Sequence, residues 1–568
     1  MRNCSQVNAT SILEAAFRAL NTGLFTIPDS GGKWNPGQCV GFLLHAYQLQ
    51  MHYHESQTTG SAAHLDSTKD LMRFCCIFTG AAGTGKTALL EACDMLTQAV
   101  YKSTTCVYRS APTRTAARLS RGNTCHAAWH LPLGCSLGVE GRMSDATLSK
   151  LRKKLEGVHE GSIDEISMLG PQKFFQIESR AKSATNQLHL FMGGLKLRLS
   201  GDFMQLPPVK AASFAGPHME QDEGVGQSND PSLKPAAPST KTAVRAPKSK
   251  ALCGKTSKKN DEELDDEYDD EEGACGLASF RKITDVVCLT KVVRAPNALG
   301  ALCTCIRELL ITDDVWALLQ SLVIRENDER LTKPPFATSA CKNIVRRHIL
   351  RSAMSNEAVL AQAPKMQSPV YLVTARDDVE NADEGIRSEV QSLLQNEHTL
   401  RKTGRKPSLF LIYEGARMLL EGKDCRLLGL MNGAEVVVEK IILSDSEAWT
   451  EPRTVHPNVT QLKYMPTAII VRVPGVEWIL PEKCLGPLHI HALPADLRGI
   501  FIVRPDTSMP FKVLHKGIKW RVTRTQLNLI PANYLIVYGA QGESFDSAIV
   551  DLGIPAGQGP ELFWLACY

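Results

Sequence analysis

Gly80-Ala81-Ala82-Gly83-Thr84-Gly85-Lys86-Thr87 follows the apolar run Phe74-Cys75-Cys76-Ile77-Phe78 and opens a helix-like stretch, Ala88–Ala99. The string satisfies G-x-x-x-x-G-K-[ST] in the strand-then-helix context that gives the pattern its meaning. Glycines let successive backbone N–H groups curl around phosphate oxygens, and the start of the following helix adds positive potential. Gly80, Gly83, Thr84 and Gly85 would line such a cradle, Lys86 would bridge the β- and γ-phosphates, and Thr87 would offer its hydroxyl to Mg²⁺. ATP and Mg²⁺ are therefore the expected cofactors.

A phosphate cradle needs a second metal contact and a group to orient water. Asp164-Glu165, in Ser162-Ile163-Asp164-Glu165-Ile166-Ser167-Met168, supplies both types: Asp164 on the metal side and Glu165 as the base that polarises water. The segment leading into it, Gly157-Val158-His159-Glu160-Gly161-Ser162-Ile163, is polar and glycine-rich for a buried central strand. Either that strand is short or this part of the chain is altered.

Working outward, short apolar runs such as Phe74–Phe78 and Leu188–Met192 alternate with helical stretches, the pattern of a parallel sheet with crossover helices. Ala301–Leu322 reads as helical. Pro369–Thr374, Val436–Leu443, Leu535–Val537 and Ala548–Leu552 read as strands, so the second half is expected to be another α/β unit. A Pro-rich stretch with β-branched runs, Pro452–Arg524, reads as a small β insertion. Residues 211–274 change character, with Lys241, Arg245, Lys248, Lys250, Lys255, Lys258 and Lys259 followed by the nearly continuous acid of Asp261–Glu272. Such blocks bury too little to offset chain entropy; the segment reads as a solvated loop, or as an interaction or localisation segment.

The chain has 568 residues, and at about 150 residues per domain it should hold several compact units. With 43% hydrophobic and 22% charged residues it has the composition of a globular protein. Sixty-four Lys+Arg against 60 Asp+Glu leave a net +4, so bulk charge neither demands nor forbids a nucleic-acid partner. The 17 cysteines form no C-x-x-C pair and read as reduced thiols, not as a zinc site or a disulfide framework. No apolar run reaches the ~18 residues of a membrane span. Residues 1–20 hold arginines and no acid before Glu14, which suits a mitochondrial transit peptide or an ordinary amphipathic helix.

Leu199-Ser200-Gly201-Asp202-Phe203-Met204-Gln205-Leu206-Pro207-Pro208-Val209 goes beyond a generic phosphate-loop protein. It resembles the third motif of superfamily-one helicases, in particular the petite-integration-frequency (PIF-type) DNA helicases and their RecD-like and Helitron relatives. The resemblance runs from about residue 70 to the C-terminus, with its motifs in family order. Ala111–Ala117 is similar to motif Ia, Gly122–His126 with Leu131-Pro132 to the Thr-x-His motif, and Leu289–Arg294 to motif IV. Gly429–Gly433 is similar to the Leu-x-Asn-Gly turn, and Gly539–Asp546 to motif V.

By this resemblance the fold is two RecA-like α/β domains, the second interrupted by an SH3-like β insertion. The implied layout is a helical extension at 1–69, a first domain at 70–210 that resumes at 275–300 after the 211–274 insertion, and a second at 301–568 with its β module at 451–525. Gln205 would sense the γ-phosphate and Arg294 would act as an arginine finger. Thr113, Thr124, His126 and Asn432 would hold single-stranded DNA. Gln541 falls at the family's nucleotide and strand-binding motif, and Tyr538, where the family has His, would stack on a base. Gln38 is the candidate for the glutamine that contacts the nucleotide base.

The activity implied is an ATP-dependent DNA helicase moving 5′ to 3′ on single strands and forks in DNA repair, recombination or genome maintenance, in the nucleus or mitochondrion and away from membranes. Motif VI, with its Ala-Leu-Ser-Arg arginine, is expected beyond Leu562–Tyr568, so the chain reads as truncated before it. A remnant that binds ATP and single-stranded DNA without unwinding is the alternative, and an ATPase acting on protein a second.

Overall fold

The structure is a computed structural model. It describes residues 12–22, 34–58, 74–132, 143–208, 211–215, 272–293 and 298–551, the last with gaps at 309, 326, 337–340, 347, 396–402, 404–405, 422–427, 429, 431–432, 450, 482–483, 485–492, 544 and 546. Arg294, Asn432, almost all of the charged 211–274 segment and the C-terminal residues 552–568 lie outside the described residues.

The first unit is built on β1 (Cys75–Gly80), β2 (Val107–Ala111), β3 (Asn123–Thr124), β4 (Glu160–Ile163), β5 (Lys196–Gly201) and β6 (Asp285–Leu289). They form a parallel six-stranded sheet in the order β3-β2-β4-β5-β1-β6. Helices α1 (Ile12–Thr22), α2 (Pro36–Thr58) and α3 (Lys86–Tyr101) cover one face, and α6 (Asp145–Leu155) and α7 (Pro171–Thr185) the other. Between them α4 (Arg114–Leu119) and α5 (Cys125–Ala128) follow the carboxyl ends of β2 and β3.

Period-2 alternation explains the two cores. Cys75, Ile77, Ile163, Leu197 and Leu199 point to the side of Phe174, Ile177 and Leu151. Cys76 and Phe78 point to the side of Leu89, Leu96, Phe42 and Ile12. The helices of residues 12–58 are thus part of the first core and do not stand apart as an extension. Each buried Phe or Leu contributes about 1.5–3 kcal/mol relative to exposure.

Polar β4 is indeed short, and it is central and fully buried. Glu160 lies beside Lys196 in register with β5, facing Arg198, which also pairs with Asp94 of α3; Asp94 in turn holds Arg109 of β2. Thr97 donates to Glu160 at 3.0 Å, and His45 of α2 meets the Lys196 ammonium at 2.8 Å. A buried layer of opposite charges takes the place of aliphatic packing on this face.

Leu188–Met192 is not a strand. Phe191–Gly194 forms a 3₁₀ turn in which Met192, Gly193 and Gly194 are left-handed, and the strand follows at Lys196. Its apolar residues are core residues all the same, for Phe191 and Met192 are buried. The expected helix over Ala301–Leu322 is two, α8 (Ala298–Arg307) and α9 (Asp313–Leu322), the second capped by Thr312, whose hydroxyl accepts from Val315 N at 3.3 Å.

The second half has a small parallel sheet of β7 (Lys342–Val345), β21 (Tyr534–Ile536) and β22 (Ala548–Val550), in the order β21-β7-β22, with α10 (His348–Gln362) packed on it. Among the described residues between these strands, β strands outweigh helices. β11 (Arg417–Leu420), β12 (Glu435–Ile442), β15 (Ala468–Arg472), β16 (Ile500–Val503) and β20 (Leu529–Pro531) form an antiparallel sheet, whose core continues into β8 (Val370–Thr374) and β10 (Leu409–Ile412). This β module begins well before residue 451, because its strands are assembled from both sides of that position. Strand β21 leads directly into the short helix α12 (Val537–Ala540), which faces the first unit.

Candidate active site in the cleft between the two units

The glycine loop leaves β1 at Gly80 and enters α3 at Lys86. Gly83 (φ 73) and Gly85 (φ 84) take left-handed conformations that side chains disfavour. Val293 N, just past β6, donates to Gly83 O at 2.8 Å and fixes the loop from one side. Gln38 fixes it from the other: its Nε2 donates to Thr84 O at 3.0 Å while its Oε1 accepts from Asn35 N at 3.0 Å. Any Cβ on Gly85 would collide with that amide. Gln38 is fully buried with both ends of its amide engaged, so it braces the loop instead of facing a nucleotide base.

Lys86 Nζ donates to Gly80 O at 2.8 Å and Ala81 O at 3.0 Å. Burial lowers its pKa below that of an ordinary lysine, against the opposing pull of the Glu165, Asp202 and Asp164 carboxylates. Asp164 ends β4. Its Oδ2 accepts from Thr87 Oγ1 at 3.3 Å, and its Oδ1 accepts from Ser200 Oγ and from Glu165 N at 3.0 Å. A hydroxyl and a carboxylate facing each other at the start of α3 are the hard oxygen donors that Mg²⁺ takes from protein, its other positions being met by water and phosphate. Thr87 and Asp164 therefore fit the ion.

Glu165 has φ 55 and ψ 44, a left-handed backbone that costs a non-glycine residue about 1–2 kcal/mol. The following 3₁₀ turn holds it there, with Met168 N donating to Glu165 O at 3.0 Å. Burial, reinforced by the Asp164 carboxylate, pushes the Glu165 side chain up to about 7, while Lys86 and a hydrogen bond from Gln541 act the other way. That bond, Gln541 Nε2 to Glu165 Oε2 at 3.2 Å, crosses from the second unit to the first.

Gln205 follows β5, and its Nε2 donates to Asp202 Oδ2 at 3.0 Å. The same fully buried carboxylate pairs with Arg307 at the end of α8. Arg307 is absent from the sequence reading, because nothing local in Cys305-Ile306-Arg307-Glu308 marks which way the helix turns it. Ser200 could have been singled out from its place two residues before Asp202.

Thr113 and Thr124 cap α4 and α5, their hydroxyls accepting from Ala116 N at 3.2 Å and Ala127 N at 3.3 Å. Each Oγ that accepts in this way still has a proton to donate. His126, on α5, is half-buried with its pKa lowered by burial and by Lys173. Tyr538 lies on α12, half-buried, its phenol raised by burial. Thr113 and Thr124 stand at the carboxyl ends of adjacent strands, on the edge where open α/β sheets bind ligands.

A P-loop α/β core is what this sheet, loop and carboxylate pair define. Residues 55–218 match the family model described as PIF1-like helicase. The chain is 36% identical over 136 residues to the ATP-dependent DNA helicase PIF1 of Xenopus laevis, covering 24% of this chain and 20% of that protein. It is 36% identical over 132 residues to the Danio rerio PIF1, covering 23% and 20%. These alignments span about a fifth of the length of the curated relatives. Among solved structures, Bacteroides Pif1 bound to ssDNA superposes with a TM-score of 0.51 at 17% identity, covering 89% of this chain and 90% of that one. The Bacteroides Pif1 complex with ADP-AlF3 and ssDNA gives 0.50 at 19% identity, with the same coverage. Over residues 55–218 the chain is similar to PIF1-like helicases, and its fold is that of the solved Pif1 structures.

Proposed function

We propose that the protein is an ATP-dependent DNA helicase whose two α/β units clamp ATP and single-stranded DNA. The observation that carries this reading is the convergence, in one cleft, of the phosphate loop, the Asp164–Glu165 pair and Gln541 of the second unit. In the reading, Lys86 neutralises the β- and γ-phosphates and Glu165 accepts a proton from the attacking water. Thr87 and Asp164 would hold Mg²⁺, which would supply positive charge beside the phosphates. Gln205, tied to Asp202, reports the γ-phosphate, and Arg294 approaches the transferred group as an arginine finger.

Single-stranded DNA runs past Thr113, Thr124 and His126 on the first unit and Asn432 and Tyr538 on the second. Short hydroxyls and amides grip phosphates without reading sequence, and an aromatic ring stacks on any base. Closing on ATP and opening after hydrolysis step the strand 5′ to 3′. Forked DNA is the natural substrate, in repair, recombination or genome maintenance, in the nucleus or mitochondrion. The β module of the second unit corresponds to an SH3-like insertion.

Unwinding of forked duplexes by the full chain tests this. A fork with a 5′ single-stranded arm should be opened with ATP and Mg²⁺, and one with only a 3′ arm should not. Opening through the 3′ arm alone would overturn the direction. ATP and strand binding without unwinding on either would favour the impaired remnant.

A further inference from the structure

Helix α4 carries more of the contact between the two units than its six residues suggest. At its start Arg114 lies 3.6 Å from Glu421. Thr115 Oγ1 donates to Gly539 O at 3.2 Å, and Arg118 pairs with Glu543. Gly542, left-handed at φ 82, sits so close that a Cβ there would lie 3.2 Å from Leu119 Cδ1. Gly539, Gly542 and Glu543 flank Gln541, whose amide reaches Glu165. The N-terminus of α4 is capped by Thr113. One short rigid helix therefore joins a candidate strand contact at its N-cap to the turn that touches the candidate base.

We propose that the Arg118–Glu543 ion pair is a positioning clamp: by tying the 539–543 turn to α4 it holds Gln541 on Glu165, so that a strand bound at Thr113 sets the orientation of the carboxylate. The inference rests on the reading of the cleft as a strand-stimulated ATPase. Gln541 thereby acts on the base and not on the nucleotide. Two features of the pair suit the role. Both side chains are mostly shielded, at 28% and 23% exposure, so the charges are only partly screened. Burial lowers the Arg118 pKa, yet the Glu435 carboxylate beyond works the other way to keep the guanidinium charged. Breaking the pair frees the turn without removing any group that would touch ATP, metal or strand.

Charge reversal of the full chain tests the clamp. ATP turnover is measured with and without oligo(dT), alongside oligo(dT) affinity. Coupling between sites commonly amounts to about 5- to 150-fold. Arg118→Glu or Glu543→Arg should cut the stimulation ratio by about tenfold, while the strand-free rate and the oligo(dT) affinity move by less than about twofold. The double reversal should restore most of the ratio, which a general loss of packing would not do. Arg118→Gln and Glu543→Gln, which delete charge without opposing it, carry the same expectation if the reversals fail to fold. Undiminished stimulation in the single variants, or a double reversal no better than either, would overturn the clamp. A wild-type chain with no response to oligo(dT) would instead remove the ATPase reading on which the clamp stands.

Discussion

Glu160 and Arg198 meet on the two middle strands of the parallel sheet, each almost completely excluded from solvent. Arg198 also pairs with Asp94 across the layer, so one guanidinium offsets two buried carboxylates. Removing one partner of a buried pair costs about 3–5 kcal/mol, because the remaining charge is left without compensation. Arg198→Met should lower unfolding free energy by that amount in urea titrations, without changing the slope.

Lys196 should behave differently. Its ammonium is 3.8 Å from Glu160, and burial lowers its pKa to about 8. A cation whose folded value lies below its unfolded one binds its proton better when unfolded, so protonation opposes folding. Lys196→Met should therefore be neutral or stabilising at pH 7. The stability of wild type relative to this variant should rise between pH ~8 and ~10, as the lysine loses its charge. A falling difference over that range would contradict the assignment.

Gln38→Ala should loosen the phosphate loop. One buried hydrogen bond is worth about 1–1.5 kcal/mol, or roughly tenfold in affinity. Binding of a fluorescent ADP should weaken by about that factor. If Gln38 faced a base instead, replacing ADP by GDP would change the size of the defect; the bracing role makes the defect the same for both.

Arg307→Ala removes the guanidinium that pairs with the buried Asp202 and should destabilise the protein by about 3 kcal/mol, with turnover falling alongside. Adding Asp202→Asn removes the buried charge and should regain most of the stability but not the turnover, since Gln205 keeps only a neutral partner. Thermal melts and ATPase rates on the two variants separate these effects.

Glu165→Gln should retain ATP while losing about 10²–10⁴ in turnover, the usual contribution of a positioned base. Single-turnover assays with labelled ATP would reveal it. A variant turning over at the wild-type rate would remove Glu165 from the chemistry.

How much could be read from residues alone follows from where the information lies. Gly80–Thr87 prescribes its own strand, turn and helix, because left-handed glycines and a phosphate-facing lysine make sense in one local geometry, and β1 and α3 stand where the pattern puts them. Asp164 and Thr87 were legible as partners from type and order. Glu160 and Arg198 were not: each looks like a surface charge until the register of β4 on β5 brings them together. The same polarity hid β5, whose Lys-Leu-Arg-Leu reads as half-exposed, and gave Leu188–Met192 the appearance of the strand. Arg307, Arg118 and Glu543 act across long sequence separations that no short pattern encodes. The β structure of the second half was underestimated because its strands are collected from distant segments.

ATP hydrolysis by the full chain, with and without oligo(dT) and with Lys86→Ala alongside, tests the central claim most directly. Turnover should rise with oligo(dT) and disappear in Lys86→Ala while strand binding persists. Turnover that ignores the strand, or that survives loss of Lys86, would contradict it.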